Sequence, residues 1–211
     1  FERYPRQLDA DSALAEQAGA AALWAPSVPQ IYPHGREGLT RLVPAAELVN
    51  HLCGPGRPGH FEGVCTVVSR LLALTRPSHL HLGEKDWQQL QVLRRLVNDL
   101  QWPLKVVPFP TQREPDGLPC SSRNAYLSSE QRDQVSALPA ALRQAQQRVA
   151  SGETCWEKLE PLLHALLQDR HLEVDYLQLV DPHRLQPVAS VNGPALLAAA
   201  VRCGNARLID H

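Results

Sequence analysis

Methionine, long apolar runs and an excess of charge of either sign are absent from this sequence. The 211 residues include no Met and begin at Phe1, so we expect the chain to be part of a longer protein. The densest apolar run, residues 195–201, is far shorter than the about 20 residues of a membrane-spanning helix. The formal net charge of −1 argues against a nucleic-acid or membrane-surface binder. We therefore expect a cytoplasmic protein that binds neither nucleic acid nor membranes.

Cysteines with paired spacing are also lacking. The five that are present follow no disulfide framework, and no signal peptide is recognisable, so we expect reduced thiols. His51, Cys53, His60 and Cys65 are residue types that bind zinc, but their spacing matches no compact zinc knuckle. We expect a core thiol and loop histidines there, and no metal site.

Apolar periodicity predicts alternating strands and helices in the first half of the chain. The predicted strands are residues 20–24, 42–43, 80–82 and 104–107. The predicted helices are residues 9–18, 45–52 and 61–75, and a further helix that begins near Lys85. Strand and helix in alternation are typical of a parallel α/β sheet.

The pattern of polar and apolar residues changes after Pro110. A polar loop, residues 111–124, leads to two predicted helices, which Pro139 and Pro161 should kink or break. Residues 174–180, 195–201 and 206–209 read as antiparallel strands. We predict an incomplete Rossmann-like domain over residues 1–110 and a smaller α+β domain, a lid, over residues 111–211.

The most informative stretch is residues 80–90, where a short apolar strand reaches Gly83 and a helical pattern begins. Lys85, Asp86 and Gln89 are spaced so that they share one face of the first helical turns. Where a parallel strand ends and a helix begins, ligands commonly bind, and the helix N-terminus favours phosphate. The stretch therefore predicts a site for phosphate and a polar substrate.

Two further loops each allow two interpretations. Residues 54–59 match G-x-G-x-x-G, but a helical pattern precedes them and two prolines stiffen them, which disfavours a dinucleotide site. Arg57 in that loop is either a surface cation or a contributor to an active site. The run Ser121-Ser122-Arg123 is either an ordinary helix-capping loop or a segment that wraps phosphates, because hydroxyls and a guanidinium match phosphate oxygens.

Three segments in this order resemble the pantothenate synthetase (pantoate–β-alanine ligase) family. They are Arg-Pro-Gly-His-Phe at residues 57–61, Gly-Glu-Lys-Asp-Trp-Gln-Gln-Leu at residues 83–90, and the stretch 113–124 that ends in Ser-Ser-Arg-Asn. The similarity runs from Tyr4 to Asp210, nearly the whole chain. It implies a Rossmann-like nucleotidyltransferase that uses ATP with Mg²⁺, joins pantoate to β-alanine through an acyl adenylate, and forms a homodimer.

The resemblance also implies roles for individual residues. Lys85, Ser121, Ser122 and Arg123 would stabilise charge during catalysis, and in this family the segment at 121–123 closes over ATP. The ATP pocket would comprise Gly83, Glu84, Lys85, Asp86, Gln112, Cys120, Ser121, Ser122 and Arg123. Gln89 would hold pantoate, with Arg57 and Tyr4 as further substrate contacts.

The chain departs from the family pattern at its beginning. Family members carry a His-x-Gly-His segment and a substrate-binding glutamine ahead of the region where this chain starts, so we expect the chain by itself to be inactive. Cys120 stands where the family usually has methionine. Some members continue into a fused cytidylate kinase, which this sequence does not decide. Two alternatives remain: another nucleotidyl-transfer enzyme of this fold with a different acceptor, and a non-catalytic piece that keeps only fold and dimer contacts.

Overall fold

The computed structural model describes residues 7–35 and 37–211. The contacts divide the chain into two compact units, Phe1–Thr40 and Arg41–His211. In the first unit, helix α1 (Leu8–Gln17) is followed by the short helix α2 (Val28–Ile31). Helix α1 contains no buried residue, whereas Ile31 in α2 is buried. Gly19, at a φ of 83°, follows the end of α1, as a glycine after a helix C-terminus commonly does.

The second unit begins with short turns and a parallel pair of strands. A 3₁₀ turn (Ala46–Leu48) and the four-residue helix α3 (Cys53–Gly56) precede the long helix α4 (His60–Thr75). Strand β1 (His79–Gly83), a 3₁₀ turn (Glu84–Asp86), helix α5 (Trp87–Asp99) and strand β2 (Lys105–Phe109) follow. Strands β1 and β2 pair in parallel, from His79 opposite Lys105 to Gly83 opposite Phe109.

Three antiparallel strands form the other sheet. Helices α6 (Ser129–Val135), α7 (Ala137–Ala150) and α8 (Trp156–Gln168) precede strand β3 (Glu173–Val180). Strands β4 (Leu196–Cys203) and β5 (Ala206–Asp210) complete the order β3-β4-β5. The predicted fold class, a small parallel sheet with helices followed by helices and an antiparallel sheet, is confirmed.

Two apolar clusters hold the second unit together. The larger cluster joins α7 and α8 to the antiparallel sheet, with Leu138, Leu163 and Val201 at its centre. The smaller one joins residues on both sides of position 110, such as Val92 of α5 with Val180 and Ala198. Residue 110 therefore separates the two sheets along the sequence, but both sheets belong to the same compact unit, Arg41–His211. The division into domains 1–110 and 111–211 stays a prediction.

Several local predictions were wrong in detail. No strand forms at residues 20–24 or 42–43, and the helix expected over 45–52 is reduced to the 3₁₀ turn at 46–48. The buried side of α4 runs through Phe61, Cys65, Ser69 and Leu72, while Leu74, near the end of the helix, is exposed. Within the described ranges, no helix has both the length and the apolar character that crossing a bilayer requires.

The two prolines have different effects. The predicted split near Pro139 is observed, because α6 ends at Val135 and α7 begins at Ala137. Pro139 is the third residue of α7. The N–H groups of the first helical turn have no acceptor within the helix, so a proline there costs no helical hydrogen bond. Helix α8, by contrast, is continuous through Pro161. Glu157, whose carbonyl loses its hydrogen bond there, is exposed, so water can replace the lost donor.

Candidate active site

The turn after β1 places the first group of predicted site residues. Gly83 ends the strand at φ −70° and ψ 135°, so its backbone does not require glycine. No atom lies within 4 Å of the place where a side chain at position 83 would begin, which leaves room for a ligand to approach. In the 3₁₀ turn that follows, Lys85 Nζ lies 3.8 Å from Asp86 Oδ2, and the side chains are 19% and 53% exposed respectively.

The carbonyl group of Glu84 fastens this turn to the end of β5. Its oxygen lies 2.7 Å from Nε2 of His211, and the ring of His211 packs edge-on against Trp87 with centroids 5.6 Å apart. The indole Nε1 of Trp87 donates to the carbonyl of Pro182 at 2.6 Å. Since these bonds join the Lys85 turn to two parts of the C-terminal half, its position is fixed from both sides.

The polar loop 111–124 is held by two ionic groups. Arg113 makes a bidentate pair with Asp210, with both N–O distances 2.8 Å, and donates to the carbonyl of Gly117 at 2.9 Å. The hydrogen bonds to Asp210 raise the pKa of Arg113. Glu114 accepts from Arg132 and, at 2.6 Å, from Nδ2 of Asn124, and these bonds lower the pKa of Glu114, that from Asn124 most.

The end of this loop presents the second group of predicted residues. Ser121 precedes a 3₁₀ turn (Ser122–Tyr126), and its Oγ accepts from the backbone N–H of Arg123 at 3.3 Å. Asn124 is buried and donates also to the carbonyl of Pro119 at 3.0 Å. Anchored at Asn124, the loop leaves Ser122 and Arg123 exposed.

Lys85 and the Ser121–Arg123 loop meet at one cleft. It has an empty volume of about 260 Å³, including its open mouth. Its polar lining comes from Lys85, Ser121, Arg123, Asn124 and Arg207. Its apolar lining consists of Leu118, Pro119, Leu138, Leu208 and Ile209. Three cations and a hydroxyl around an open volume with an apolar wall suit an anionic ligand that has an uncharged part.

The positive charge around this cleft acts on two further residues. Partial burial lowers the pKa of Arg57, and the guanidinium groups of Arg207 and Arg123 lower it further, against the opposing influence of Cys53 and Asp86. The pKa of His60 is lowered by burial and then by Arg57, with Arg123 adding to the effect and Asp86 opposing it. Both pKa values fall mainly because burial disfavours the charged form, and neighbouring guanidinium groups add to the effect.

The remaining predicted residues are placed less distinctively. Gln89 is half-buried and Cys120 is exposed. Gln112 is exposed, and its Nε2 makes a long bond of 3.4 Å to the carbonyl of Pro110. Tyr4 lies outside the described residues. The ligand roles expected for these residues, and those of Lys85, Ser121, Ser122 and Arg123, stay predictions.

Sequence reasoning missed Arg207, which also lines the cleft. Asp175 pairs with its guanidinium at 2.6 Å, and Cys53 Sγ accepts from it at 3.7 Å. The same guanidinium lies 5.7 Å from the centre of the Tyr176 ring. No sequence signal near Arg207 points to this role, because Cys53 is 154 residues away in the chain.

The four residues considered for zinc do not form a metal site. Cys65 is 1% exposed, in the core, and burial raises its pKa to about 11. Among residues 7–35 and 37–211, no group of three or more His, Cys, Asp and Glu side chains is placed to hold a metal ion. The cations and the hydroxyl of the cleft are donors that match phosphate oxygens rather than a divalent cation.

Comparison with known sequences gives one family. The family model described as pantoate-beta-alanine ligase matches residues 1–211. The bifunctional pantoate ligase/cytidylate kinase of Synechococcus sp. (strain RCC307) is 67% identical over 211 residues, which are 100% of this chain and 41% of that protein. The protein of the same name from Parasynechococcus marenigrum (strain WH8102) is 56% identical, over 100% of this chain and 40% of its own. The chain thus spans about two fifths of these relatives.

Solved structures give the same family. Pantothenate synthetase from Thermus thermophilus superimposes with a TM-score of 0.92 at 42% identity, over 99% of this chain and 75% of that one. The pantoate-beta-alanine ligase of Francisella tularensis, complexed with beta-gamma ATP and beta-alanine, gives a TM-score of 0.77 at 34% identity. It covers 98% of this chain and 70% of its own.

Proposed function

The chain belongs to the pantoate–β-alanine ligase family, and we propose on that premise that it is part of an ATP-dependent ligase that joins pantoate to β-alanine. The observation that supports this most directly is the meeting of Lys85 with Ser121 and Arg123 at one cleft. These residues are distant in the sequence, and each was expected at the phosphates of ATP. The Francisella relative, solved with ATP and β-alanine, supports the same substrates.

In the first step, a carboxylate oxygen of pantoate attacks the α-phosphorus of ATP. A P–O bond forms to give an acyl adenylate, and the P–O bond to pyrophosphate breaks. Two anions must approach each other, so donors placed where charge accumulates lower the barrier. Lys85 and Arg123 supply positive charge in our proposal, Ser121 and Ser122 supply hydroxyl donors, and Mg²⁺ on the phosphates would neutralise further charge.

Recognition of the two substrates falls to neighbouring positions. The free space above Gly83 admits the nucleotide next to the backbone, and Asp86 accepts from a ribose hydroxyl. Glu84, Gln112 and Cys120 complete the nucleotide pocket. Gln89 holds pantoate, and Arg57 and Tyr4 are further substrate contacts. The lowered pKa of Arg57 is consistent with a position that gains from a bound anion.

In the second step, the amine of β-alanine attacks the acyl carbon, and AMP leaves with the bonding electrons of the C–O bond. The attacking amine must be neutral, so its ammonium proton has to be lost first. The acyl group is already activated, and the protein contributes mainly by orienting the amine and by excluding water from the adenylate.

Activity of this chain by itself is a separate question. The relatives are longer than this chain, and the family's His-x-Gly-His segment is not in its sequence. We propose that the longer protein makes pantothenate as a homodimer in the cytoplasm, while this chain alone binds ATP but does not release AMP. The Synechococcus relative is named a bifunctional pantoate ligase/cytidylate kinase. We therefore also propose that the longer protein is multifunctional.

Calorimetric titration of this chain with Mg-ATP tests the binding site. We expect weak binding, and Lys85→Ala should raise Kd by at least about tenfold, since a hydrogen bond to a charged group is lost. Lys158→Ala is the matched control, because Lys158 is 69% exposed and pairs only with Glu153 among described residues. Equal loss in both variants, or no binding by the chain itself, would contradict the assignment of the cleft.

An AMP-release assay with pantoate, β-alanine and Mg-ATP tests the reaction. The longer protein should release AMP with β-alanine and much less with other amines, whereas this chain should release none. Turnover by the chain alone would show that the proposed inactivity is wrong. A preference for a different amine would instead favour another ligase of the same fold.

A further inference from the structure

The loop that carries Arg57, residues 53–59 (the Arg57 loop), is tied to the helix that follows Lys85 by one buried amide. We propose that Gln88 is a positioning residue that sets the place of Arg57 relative to Lys85. The inference rests on the proposed function for its effect on ligand binding, but the placement itself can be tested without any ligand.

Gln88 uses both ends of its amide on backbone groups. Its Oε1 accepts from the N–H of Cys53 at 2.9 Å. Its Nε2 donates to the carbonyl of Leu48 at 2.9 Å and to that of His51 at 2.8 Å. The residue is 6% exposed, so water does not offer replacements for these bonds. A buried amide with three backbone partners on a neighbouring segment fixes that segment strongly.

Besides Gln88, the Arg57 loop, whose first four residues form helix α3, is held by backbone hydrogen bonds such as that from the N–H of Arg57 to the carbonyl of Gly54 at 3.1 Å, and by Arg207, which donates to Cys53 Sγ. Between Cys53 and Arg57 it contains only Gly-Pro-Gly, which has no side-chain donor or acceptor. Gly54 accepts no side chain, because one would begin against the carbonyl oxygen of Val49. Leu52, just before the loop, has a φ of 57°, a conformation that non-glycine residues keep only when surrounding contacts impose it.

Two contacts from strand β3 assist Gln88. The Oε1 of Gln178 accepts from the N–H of Leu52 at 3.0 Å, and the hydroxyl of Tyr176 lies 3.4 Å from Cys53 Sγ. Both contacts come from the antiparallel sheet. Of Gln88, Gln178 and Tyr176, only Gln88 belongs to helix α5, which follows the Lys85 turn. Among these three contacts, it is therefore the one that fixes the position of Arg57 relative to that turn.

The sequence separates two roles within one pair of glutamines. Gln88 points into the protein and is buried, whereas Gln89, the proposed pantoate contact, is half-buried. Gln88 stands three residues after Lys85, one helical turn away. A displacement of its amide therefore moves the Arg57 loop relative to the cation that faces the cleft.

Gln91 provides a matched control. It lies on the same helix α5 and is also 6% exposed. Unlike Gln88, its Nε2 has no hydrogen-bond partner among the described residues. Replacing either glutamine by leucine removes a buried amide from one helix, but only Gln88→Leu removes the bond to Cys53 of the Arg57 loop and the bonds to Leu48 and His51 just before it.

Cysteine labelling reads the position of the loop without a ligand. Cys53, Cys65 and Cys203 are buried, and Cys120 is exposed and serves as the reference for intrinsic reactivity. In Gln88→Leu we expect Cys53 to be alkylated about tenfold faster, as local opening of the loop becomes easier. Cys65 and Cys203 should stay protected, and Gln91→Leu should leave Cys53 protected. Peptide mapping by mass spectrometry separates the sites.

Ligand binding tests whether the loop acts through Arg57. Gln88→Leu should weaken pantoate binding by calorimetry about tenfold, the change expected when one charged hydrogen bond is lost. In an Arg57→Ala background the same substitution should have no further effect, because non-additivity marks residues that act together.

Each outcome decides the inference. Unchanged labelling of Cys53 in Gln88→Leu, equal labelling in Gln91→Leu, or deprotection of all buried cysteines together would overturn it, as would additive effects of Gln88→Leu and Arg57→Ala. If Gln88→Leu does not fold, Gln88→Ala gives the same test, since it also removes the acceptor for Cys53 and both donations to Leu48 and His51. Should the wild-type chain bind no ligand, the proposed function fails, while the labelling still decides the role of Gln88.

Discussion

The two sheets of the second unit differ in how deeply they are buried. No residue of β1 or β2 is buried, and their exposed positions include His79 and Phe109 at opposite ends of the pair. Strands β3, β4 and β5 each contain buried residues, and Ala199 and Val201 are fully enclosed. Within this chain the larger apolar cluster thus lies with the antiparallel sheet, while β1 leads into the turn that carries Lys85.

The cleft combines what each sheet offers. Lys85 follows the exposed sheet, whereas Arg207, Leu208 and Ile209 belong to β5 of the buried one. The bond from His211 to Glu84 joins them. The candidate site therefore combines a wall from the buried sheet with a turn that is only partly enclosed.

The largest expected effect tests where stability resides. Leu163→Ala in the core of the antiparallel half should lower the free energy of unfolding by about 2–5 kcal/mol, because a buried leucine is replaced by a cavity. Leu163 is 1% exposed, and its neighbour Leu162, at 45%, is the matched control. Leu162→Ala should stay within about 0.5 kcal/mol. Urea unfolding followed by circular dichroism measures both, and similar losses would contradict the comparison.

A smaller effect tests the tie between the polar loop and β5. Arg113→Ala leaves the Asp210 carboxylate, 1% exposed, without its bidentate partner. We expect a loss of roughly 2 kcal/mol, below the about 3–5 kcal/mol of a fully buried pair because the side chain of Arg113 is 35% exposed. The control is Arg95→Ala. Both side chains of the Arg95–Asp99 pair are exposed, so this substitution should not measurably change the free energy of unfolding. A loss as small as that of the control would show that the loop is held by other contacts.

The smallest expected effect concerns His60, the first residue of helix α4, which lies in the same half of the chain as the parallel sheet. Burial and the nearby Arg57 lower the pKa of its ring below the ordinary value. Between the folded and the unfolded pKa, the unfolded chain binds more protons, so stability should rise with pH across that window and level off above about 6.5. His60→Gln should remove this rise. Urea unfolding of the wild type and of His60→Gln at a series of pH values from about 5 to about 8 gives the slope of the free energy of unfolding against pH for each. Identical slopes would show that His60 is not the source of the rise.

The regular elements with strong periodicity were predictable from sequence. Strands β1, β3, β4 and β5 and helix α5 were found near their observed bounds, because alternation and helical spacing depend on local residues. The strand predicted at 20–24 is absent from the structure, since a short apolar run becomes a strand only when a partner strand supplies its hydrogen bonds. His79 and His81 on strand β1 are both exposed, with stacked rings 6.1 Å apart.

The candidate site was predictable where a motif lies in one stretch. Lys85, Ser121 and Arg123 were singled out from such stretches, and the structure brings them to one cleft. Arg207 and Gln88 were missed because their partners are remote: Arg207 contacts Cys53 across 154 residues, and Gln88 bonds to Leu48 across 40. A single sequence shows residue types at a position but not which distant backbone groups they satisfy.

The crowding at Gly54 limits which substitutions the segment before Arg57 can accept. The carbonyl of Val49 occupies the place where any side chain at position 54 would start, so the path of the neighbouring backbone cannot be altered by a substitution there alone. The segment around residue 49 would have to shift beforehand. Substitutions that change the chemistry of this segment without moving its backbone are therefore confined to positions such as Arg57, whose side chain is exposed.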